Sequence, residues 1–334
     1  MKILFRVDCN KKIGIGHLSR CYILAKELKK KFNHKIYFLT INYQKNLFKF
    51  DKSLLNLINI KTKKKFTELD DFRITNKVLQ KEKINNIILD HYDLKQKWCS
   101  NIRKKARCFI IVDDGLKKNY RCNLYINPTF PDNKKKVISA TRLVGLKFFF
   151  LDNYYNSLKK KKTKYNHDVF INLGSGNFNQ ETLKLLQLLN KIIDIKKVLI
   201  IGHYFNLKLK KKNFNFKIDL IKKFTHLGDF IKNSKLCIGS GGVNMLERIS
   251  INNNNIVFAT AKHQLLLCDY LHKKKIINFE GDLKTILKIN RHEMISNKIK
   301  YFLTRHKLIN NQKIIDGKGL MRTSKMINKI INAN

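Results

Sequence analysis

Residues 13–21 read Ile13-Gly14-Ile15-Gly16-His17-Leu18-Ser19-Arg20-Cys21, and they follow an apolar run, Ile3–Val7, that ends at Asp8. A short buried strand, a loop with two glycines, then apolar residues at Leu18, Cys21, Leu24, Ala25 and Leu28 spell strand–loop–helix. Such a unit directs backbone N–H groups and the positive end of a helix at whatever occupies the loop, which favours an anion. His17 falls at the helix start, facing that same ligand. Ser19 stands where the dinucleotide fingerprint needs its third glycine, so Gly14-x-Gly16 is not that motif. Taken alone, the unit reads equally well as a plain βα turn, with His17 as a polar cap.

Working outward, short apolar strands alternate with helical patterns along the whole chain. Strands are expected at Ile3–Val7, Ile36–Leu39, Asn86–Leu89 and Cys108–Val112, with helices over Leu18–Lys31 and about Lys95–Lys105. The polar, lysine-rich segment Asp152–His167 reads as a linker. A second alternation follows, with strands at Asp168–Leu173, Val198–Gly202, Leu236–Ile238, Ile256–Ala259 and Ile276–Phe279. Helices near Glu181–Ile193, Val243–Ile249 and Gln264–Leu271 fill the gaps. This is the βα rhythm of parallel sheets covered on both faces, written twice. It predicts an α/β protein of two Rossmann-like, doubly wound domains, 1–155 and 165–334, facing each other across a cleft. Ligands belong at the carboxyl ends of the strands. No internal sequence repeat is visible.

The 334 residues carry 70 lysines and arginines against 24 acidic residues, a formal charge of +46. Lysine dominates that excess, beside abundant asparagine and isoleucine and only two prolines, a bias spread over every surface. The runs Lys61–Lys65, Lys159–Lys162, Lys208–Lys212 and Lys273–Lys275 are scattered and lack interleaved aromatics. They read as solvated loops and helix ends, not as a specific nucleic-acid surface. The background potential still attracts anionic substrates. Seven cysteines, odd in number and without a C-x-x-C pair, read as reduced core thiols in a cytoplasmic protein. No apolar stretch reaches the ~18 residues of a membrane span. The start of the chain reads as a strand, not a signal peptide. Peripheral attachment to an acidic membrane surface stays open, as does the oligomeric state.

The second half has glycine loops of its own. Gly174-Ser175-Gly176 follows one strand, and Gly239-Ser240-Gly241-Gly242 follows another and leads into a helix carrying Glu247 and Arg248. Loops without side-chain bulk let a diphosphate approach the backbone and a helix N-terminus. Glu247 lies where a carboxylate can accept hydrogen bonds from ribose hydroxyls. Each loop alone could be a tight turn; two at matched strand ends favour nucleotide binding. In the first half Asp90-His91-Tyr92 ends a strand, and the paired carboxylates Asp113-Asp114 could hold magnesium or cap the next turn, the cap being favoured because Gly115 follows directly. His203 follows Gly202 and reads as a solvated loop residue. Ser175 and Ser240 lack the nucleophile-elbow pattern of serine hydrolases.

Together these residues resemble the UDP-sugar hydrolases of pseudaminic acid biosynthesis, a family that also takes in spore-coat polysaccharide proteins. Arg6-Val7-Asp8 with Ile13-Gly14-x-Gly16-His17-x-x-Arg20-Cys21 is similar to its opening motif, and Asp90-His91-Tyr92 with Leu94 and Trp98 to its second. Val112-Asp113-Asp114 and Asn127-Pro128 follow in order. Leu173-Gly174-Ser175-Gly176 resembles an FGGSD loop, Gly241-Gly242 with Glu247-Arg248 a GG-x-x-x-x-E-R stretch, and Asp316-Gly317-x-Gly319-x-x-Arg322 a closing signature. The match runs in order over nearly the whole chain. Val243, Asn244, Leu246, Asn177, His263 and Phe148 depart from the family's usual residues, which bears on the substrate more than on the reaction type.

The resemblance implies the two-domain fold of GT-B glycosyltransferases, with the final helix around Leu320–Ile331 returning to the first domain. It implies hydrolysis of a UDP-linked 2,4-diacetamido-2,4,6-trideoxy hexose to free sugar and UDP, with no metal or other cofactor. His17 is then the general base, a role imidazole suits at neutral pH. Asp8, Gly14, Gly16, Arg20, His91, Tyr92, His263 and Gln264 would hold the substrate, and Gly174, Ser175, Gly241, Gly242, Val243 and Glu247 the UDP. Two other readings compete. A glycosyltransferase would use the same donor and fold with an acceptor hydroxyl. A basic nucleic-acid-binding protein would show salt-sensitive binding to generic duplex instead of a specific response to UDP.

Overall fold

The computed structural model describes the chain except for residues 11–12, 46–47, 49, 52, 63–65, 115–120, 130–138, 175, 203–212, 223, 225, 252–253, 288–291, 305–313 and 334. Among these lie Gly115, Ser175 and His203, so their expected roles fall outside the described residues. The chain divides into two compact units, Met1–Asp152 with Gly317–Asn334, and Asn153–Asp316.

In the first unit β1 (Lys2–Val7) leads into α1 (Gly16–Phe32), then β2 (Lys35–Ile41) and β3 (Asn56–Ile60). The chain continues through α2 (Glu68–Lys81), β4 (Asn86–Asp90), α3 (Gln96–Arg103), β5 (Cys108–Val112), β6 (Cys122–Asn127) and β7 (Ser139–Val144). All seven strands are parallel, in the order β3-β2-β1-β4-β5-β6-β7. The order reverses between β1 and β4, and at such a switch point the loops part and leave a crevice at the carboxyl ends. Strand alternation sends Ile3, Phe5 and Val7 into a core under α1, and Leu4 into a second core with Trp98 and Ile102 of α3. Leu18, Cys21, Leu24, Ala25 and Leu28 bury one stripe of α1. Asn33 at φ 52° closes that helix by donating to Lys29 C=O. Thr67 and Asp70 form a capping box at the start of α2.

The second unit opens with α4 (Asn153–Lys159), then β8 (His167–Asn172), α5 (Asn179–Leu189), β9 (Lys197–Ile201), β10 (Lys217–Ile221) and α6 (Gly228–Lys232). It goes on through β11 (Ser234–Ser240), α7 (Val243–Ile251), β12 (Asn254–Ala259), α8 (Lys262–Lys273), β13 (Asn278–Asp282), α9 (Leu283–Ile286) and α10 (His292–Thr304). Its parallel order, β10-β9-β8-β11-β12-β13, reverses between β8 and β11.

Two boundaries differ from the sequence expectation. The segment read as a linker begins with α4, because Tyr155 and Leu158 are buried and Leu158 packs where Gly228 of α6 has no side chain. The second unit ends at Asp316, not 334, since α11 (Gly319–Ala333) packs on α1 of the first unit through Leu320, Ile327 and Ile331. Gly319 seats that helix against the Phe148–Phe149 backbone, where a Cβ has no room.

Candidate functional site

At the switch point of the first sheet, β1 and β4 end in aspartates (Asp8 directly after β1, Asp90 as the last residue of β4), and the residues after β5 bring in Asp114. The head of α1 lies over them. Gly14, at φ +82°, makes the turn into that helix and donates its N–H to Asn10 C=O at 2.8 Å. Open space surrounds Gly16, and neither a capping side chain nor an acidic residue occupies the first turn of α1. The first N–H groups of the helix therefore remain available to an anion.

His17 and Arg20, one turn apart on α1, both reach Asp90. His17 Nδ1 lies 2.6 Å from Asp90 Oδ1. Arg20 donates from Nε to Asp90 Oδ2 at 2.6 Å and from Nη2 to Oδ1 at 2.5 Å. Its Nη1 donates to Asp114 Oδ2 at 2.6 Å. Cys21 Sγ sits 3.3 Å from Asp90 Oδ2. Tyr92 OH donates to Asp114 Oδ1 at 2.9 Å, while its ring packs edge-on against His17 with centroids 4.3 Å apart. Arg20 Nη2 also lies 3.0 Å from His17 Nδ1, but it donates to Asp90 Oδ1 at the shorter 2.5 Å. A carboxylate accepts only, so we assign the proton to Nδ1 on the 2.6 Å Asp90 contact, which leaves Nε2 with its lone pair when the ring is neutral. Nε2 has no partner among the described residues. Burial opposes the charge on Asp90, but Arg20 and His17 outweigh it and hold the carboxyl well below its ordinary range. Asp114 is lowered by the same balance of burial against Arg20 and His17. Burial of its hydroxyl end, then Asp114, pushes Tyr92 well above an ordinary phenol, so it stays a donor.

A second network lies beside the first. Arg6 donates to both oxygens of Asp8, at 2.5 and 3.0 Å, and also to Asp71 of α2. Trp98 Nε1 and Thr75 Oγ1 donate to Asp71 Oδ1 at 3.0 and 3.2 Å. Asp8 accepts further bonds from Ile41 N–H at 2.7 Å and from His91 Nε2 at 2.9 Å. His91 Nδ1 accepts the Asp93 N–H at 3.0 Å and faces the Leu94 N–H at 3.3 Å. Both nitrogens of His91 are thus committed inside the protein, which fixes its tautomer and separates it from His17. Asp8, held below the ordinary carboxylate range by Arg6 and His91 against burial, is saturated as well.

The first unit therefore brings Asp8, Gly14, Gly16, His17, Arg20, His91 and Tyr92 together at the carboxyl end of one sheet. Asp8, His17 and Arg20 are buried, at 7, 7 and 5% exposure, His91 is partly buried, and all four bond to other side chains of the same unit. Tyr92, 46% exposed, is the open member. Asp114 is a partner of Arg20 and Tyr92, and the turn it was expected to cap lies outside the described residues. Asp90 was read only as part of a motif and Asp71 not at all. Their partners lie 70 and 65 residues away, and only the strand order shows that β4 adjoins β1.

In the second unit the switch point is nearly free of carboxylates. Asn172 at the end of β8 pairs in register with Gly239 of β11, which sets the two glycine turns side by side. Gly174, at φ +98°, leaves space that Ser240 Oγ faces from 3.5 Å beyond the absent Cβ. Asn244 of α7 donates to Asn172 Oδ1 at 3.0 Å, and Asn172 in turn donates to Ile201 C=O at 3.0 Å, tying helix to sheet. Gly241 N–H donates to Phe258 C=O at 3.0 Å, and Gly242 and Val243 open α7, where no preceding carbonyl reaches their N–H groups. Gln264 stands over this turn: its Oε1 accepts from Thr260 N–H at 2.9 Å, and its Nε2 lies 3.6 Å from where a Gly242 Cβ would be. Glu247 is half-buried one turn into α7, and His263 is exposed at the start of α8. A depression between β8 and β9 is lined by Leu173, Gly174, Gly176, Phe178, Asn179, Ile201 and Gly202.

All seven cysteines are buried free thiols, Cys9 raised to about 11 by burial and then by Asp8. Among the described residues no group of three or more His, Cys, Asp or Glu side chains is arranged to hold a metal ion. No described helix is long and apolar enough to cross a membrane.

No protein-family model matches the chain. It is 24% identical over 268 residues to an uncharacterized protein of Methanocaldococcus jannaschii, covering 75% of this chain and 54% of that one. The chain thus spans about half the length of that relative. Among solved structures it is similar to MurG of Acinetobacter baumannii, with a TM-score of 0.66 and 11% identity over 98% of this chain and all of that one. The calicheamicin glycosyltransferase superposes with a TM-score of 0.65 and 10% identity, covering 99% and 98% of the two chains. A UDP-GlcNAc 2-epimerase from Neisseria meningitidis, solved with UDP-GlcNAc bound, gives 0.57 and 13% identity over full coverage of both. Identities this low establish a fold, and that fold is of the GT-B type, with two Rossmann-like parallel-sheet domains.

Proposed function

We propose that this protein cleaves the glycosyl–phosphate bond of a UDP-sugar, using His17 to activate water. The observation that carries the reading is the His17–Asp90 pair at the carboxyl end of the sheet: Nδ1 held by a buried carboxylate, and Nε2 without a partner among the described residues. In the step itself, Nε2 takes a proton from water as the water oxygen attacks the anomeric carbon. The bond from that carbon to the phosphate oxygen breaks, and its electron pair leaves with UDP. Asp90 and Asp114 against Arg20 leave one carboxylate charge uncompensated, so the imidazolium that forms sits beside an opposing charge. The glycine turns of the second unit and the head of α7 suit a diphosphate, and Glu247 the ribose. The named neighbours that act on or bind nucleotide sugars support this substrate class. The resemblance described above supports a 2,4-diacetamido-2,4,6-trideoxy hexose and hydrolysis in a nonulosonic acid route.

Transfer to an acceptor hydroxyl is the second reading, favoured by the likeness to a glycosyltransferase. Incubation with a panel of UDP-diacetamido sugars and UDP-GlcNAc, without any acceptor, decides between them. Hydrolysis predicts stoichiometric UDP and free sugar. Release that appears only when an acceptor is added would establish transfer, and no release with any donor would overturn both.

A further inference from the structure

Three arginines are buried among the described residues, and one is unlike the others. Arg6 and Arg20 each donate to two aspartates. Arg248 of α7, 0% exposed, donates from Nε to the Asn255 amide oxygen at 3.0 Å and from Nη2 to Ser240 C=O at 2.8 Å, both neutral acceptors. Its Nη1 has no hydrogen-bond partner among the described residues. The guanidinium lies along Gly239, where a Cβ would collide with it, directly beneath the turn that carries Gly241 and Gly242. Burial lowers its pKa, whereas aspartates raise those of Arg6 and Arg20. Among the described residues no carboxylate bonds to this buried cation, and Glu247, its neighbour in sequence, only partly offsets the burial. A cation held this way is costly, and a fold that retains one under a glycine turn has a use for its charge.

We propose that Arg248 is a fixed positive charge that draws a diphosphate to the Ser240–Val243 turn through the intervening backbone, without touching it. This rests on reading the second unit as the diphosphate-binding unit. Beneath the fold the charge acts through a low dielectric and is poorly screened, unlike the surface lysines. Its bond to Ser240 C=O also orients the turn, so charge and shape must be tested apart.

Asn255→Asp does this with little change of shape, because it sets a carboxylate on Arg248 Nε and cancels the charge. Calorimetric titration should show inorganic pyrophosphate and UDP binding about tenfold more weakly to Asn255→Asp, the effect of one nearby charge at protein dielectric. Uridine affinity should be unchanged. The loss should persist from about 0.05 M to about 0.5 M salt, where surface attraction fades. Arg248→Lys should bind pyrophosphate nearly as the unaltered protein does, and Arg248→Gln as Asn255→Asp does. Unchanged pyrophosphate affinity in Asn255→Asp, or equal losses in the Lys and Gln variants, overturns the inference. If the unaltered protein binds pyrophosphate in this pattern but not UDP, the inference stands and the UDP reading falls. If it binds UDP and no variant weakens it, the reverse holds.

Discussion

The two sheets reverse direction in the same way, β1 beside β4 in one unit and β8 beside β11 in the other, and furnish the reversal with opposite chemistry. In the first unit the strand ends hold Asp8, Asp90 and Asp114, laced to Arg6, Arg20, His17 and His91. In the second they hold Asn172, Ser240 and glycines, beside a buried guanidinium whose Nη1 has no partner among the described residues. Moving a proton requires a titratable group whose orientation is set before the substrate arrives, and ion pairs set it. Holding a diphosphate requires backbone N–H groups that a ligand can approach, and side chains would only obstruct them. On the proposed function, one topology serves chemistry in one unit and binding in the other, according to what a few residues after each strand supply.

The largest expected effect separates the two units outright. His17→Ala should lower turnover by about 10²–10⁴-fold, the usual range for a positioned general base. Affinity for UDP, assigned to the other unit, should stay within a factor of about two, well below the loss of one hydrogen bond. UDP release and UDP titration on one folded preparation check this. Loss of both together would mean that His17 is structural.

Next in size is the cost of the first unit's buried charges. Asp90→Asn leaves Arg20 short of its main partner, and breaking a buried pair this way costs about 3–5 kcal/mol of stability. Turnover should fall too, since an amide no longer selects the Nδ1–H tautomer. The same charges make this unit acid-sensitive. The carboxyls of Asp8, Asp90 and Asp114 lie below their ordinary, unfolded values. Their stabilisation is complete above the unfolded value of about 4 and is lost as pH falls below it toward the folded values. In the second unit Asp168 and Asp219 are lowered too, but they are less deeply enclosed. Trp98, the one tryptophan, is buried in the first unit on Asp71. Its fluorescence should therefore change at higher pH than the remaining helical circular dichroism. Coincident transitions would contradict the contrast.

The sequence made the second unit's site more legible than the first's. Gly174, Gly241 and Gly242 each follow a strand visible as an apolar run, and Gln264 lies in the first turn of the helix after another. Of the first site, Gly14 and His17 could be read locally. Arg6, Asp71, Asp90 and Asp114 could not, because an ion pair is defined by partners, and these lie 65 to 94 residues apart. The strands Asn56–Ile60, Cys122–Asn127, Ser139–Val144 and Lys217–Ile221 escaped for a related reason. Three of them, β3, β7 and β10, are edge strands and the fourth, β6, lies next to an edge, where polar residues interrupt the apolar run. The return of α11 was expected from the resemblance, not from periodicity.

On the binding side, Glu247→Ala should weaken UDP by roughly 1–3 kcal/mol, the scale of a hydrogen bond to a charged group. Turnover at saturating substrate should change little, because the bond to ribose is the same in ground and transition states. A variant with unchanged UDP affinity would remove Glu247 from the site and weaken the assignment of this unit to the nucleotide.

The smallest effect tests the boundary between scaffold and contact within the first unit. Tyr92 is the most exposed member of the cluster, and its hydroxyl donates to Asp114 while its ring braces His17. Tyr92→Phe keeps the brace and removes the donor. Asp114 still has Arg20, so the loss should be about 1 kcal/mol in stability, with turnover falling less than about tenfold. Tyr92→Ala removes the brace as well, and it should lower kcat more than Tyr92→Phe does by letting the imidazole turn. If the two variants lose equally, the hydroxyl is what matters, and Tyr92 then belongs with the proton-handling groups. If Tyr92→Ala instead raises KM at constant kcat, the ring is a substrate contact and the imidazole is held by Asp90 alone.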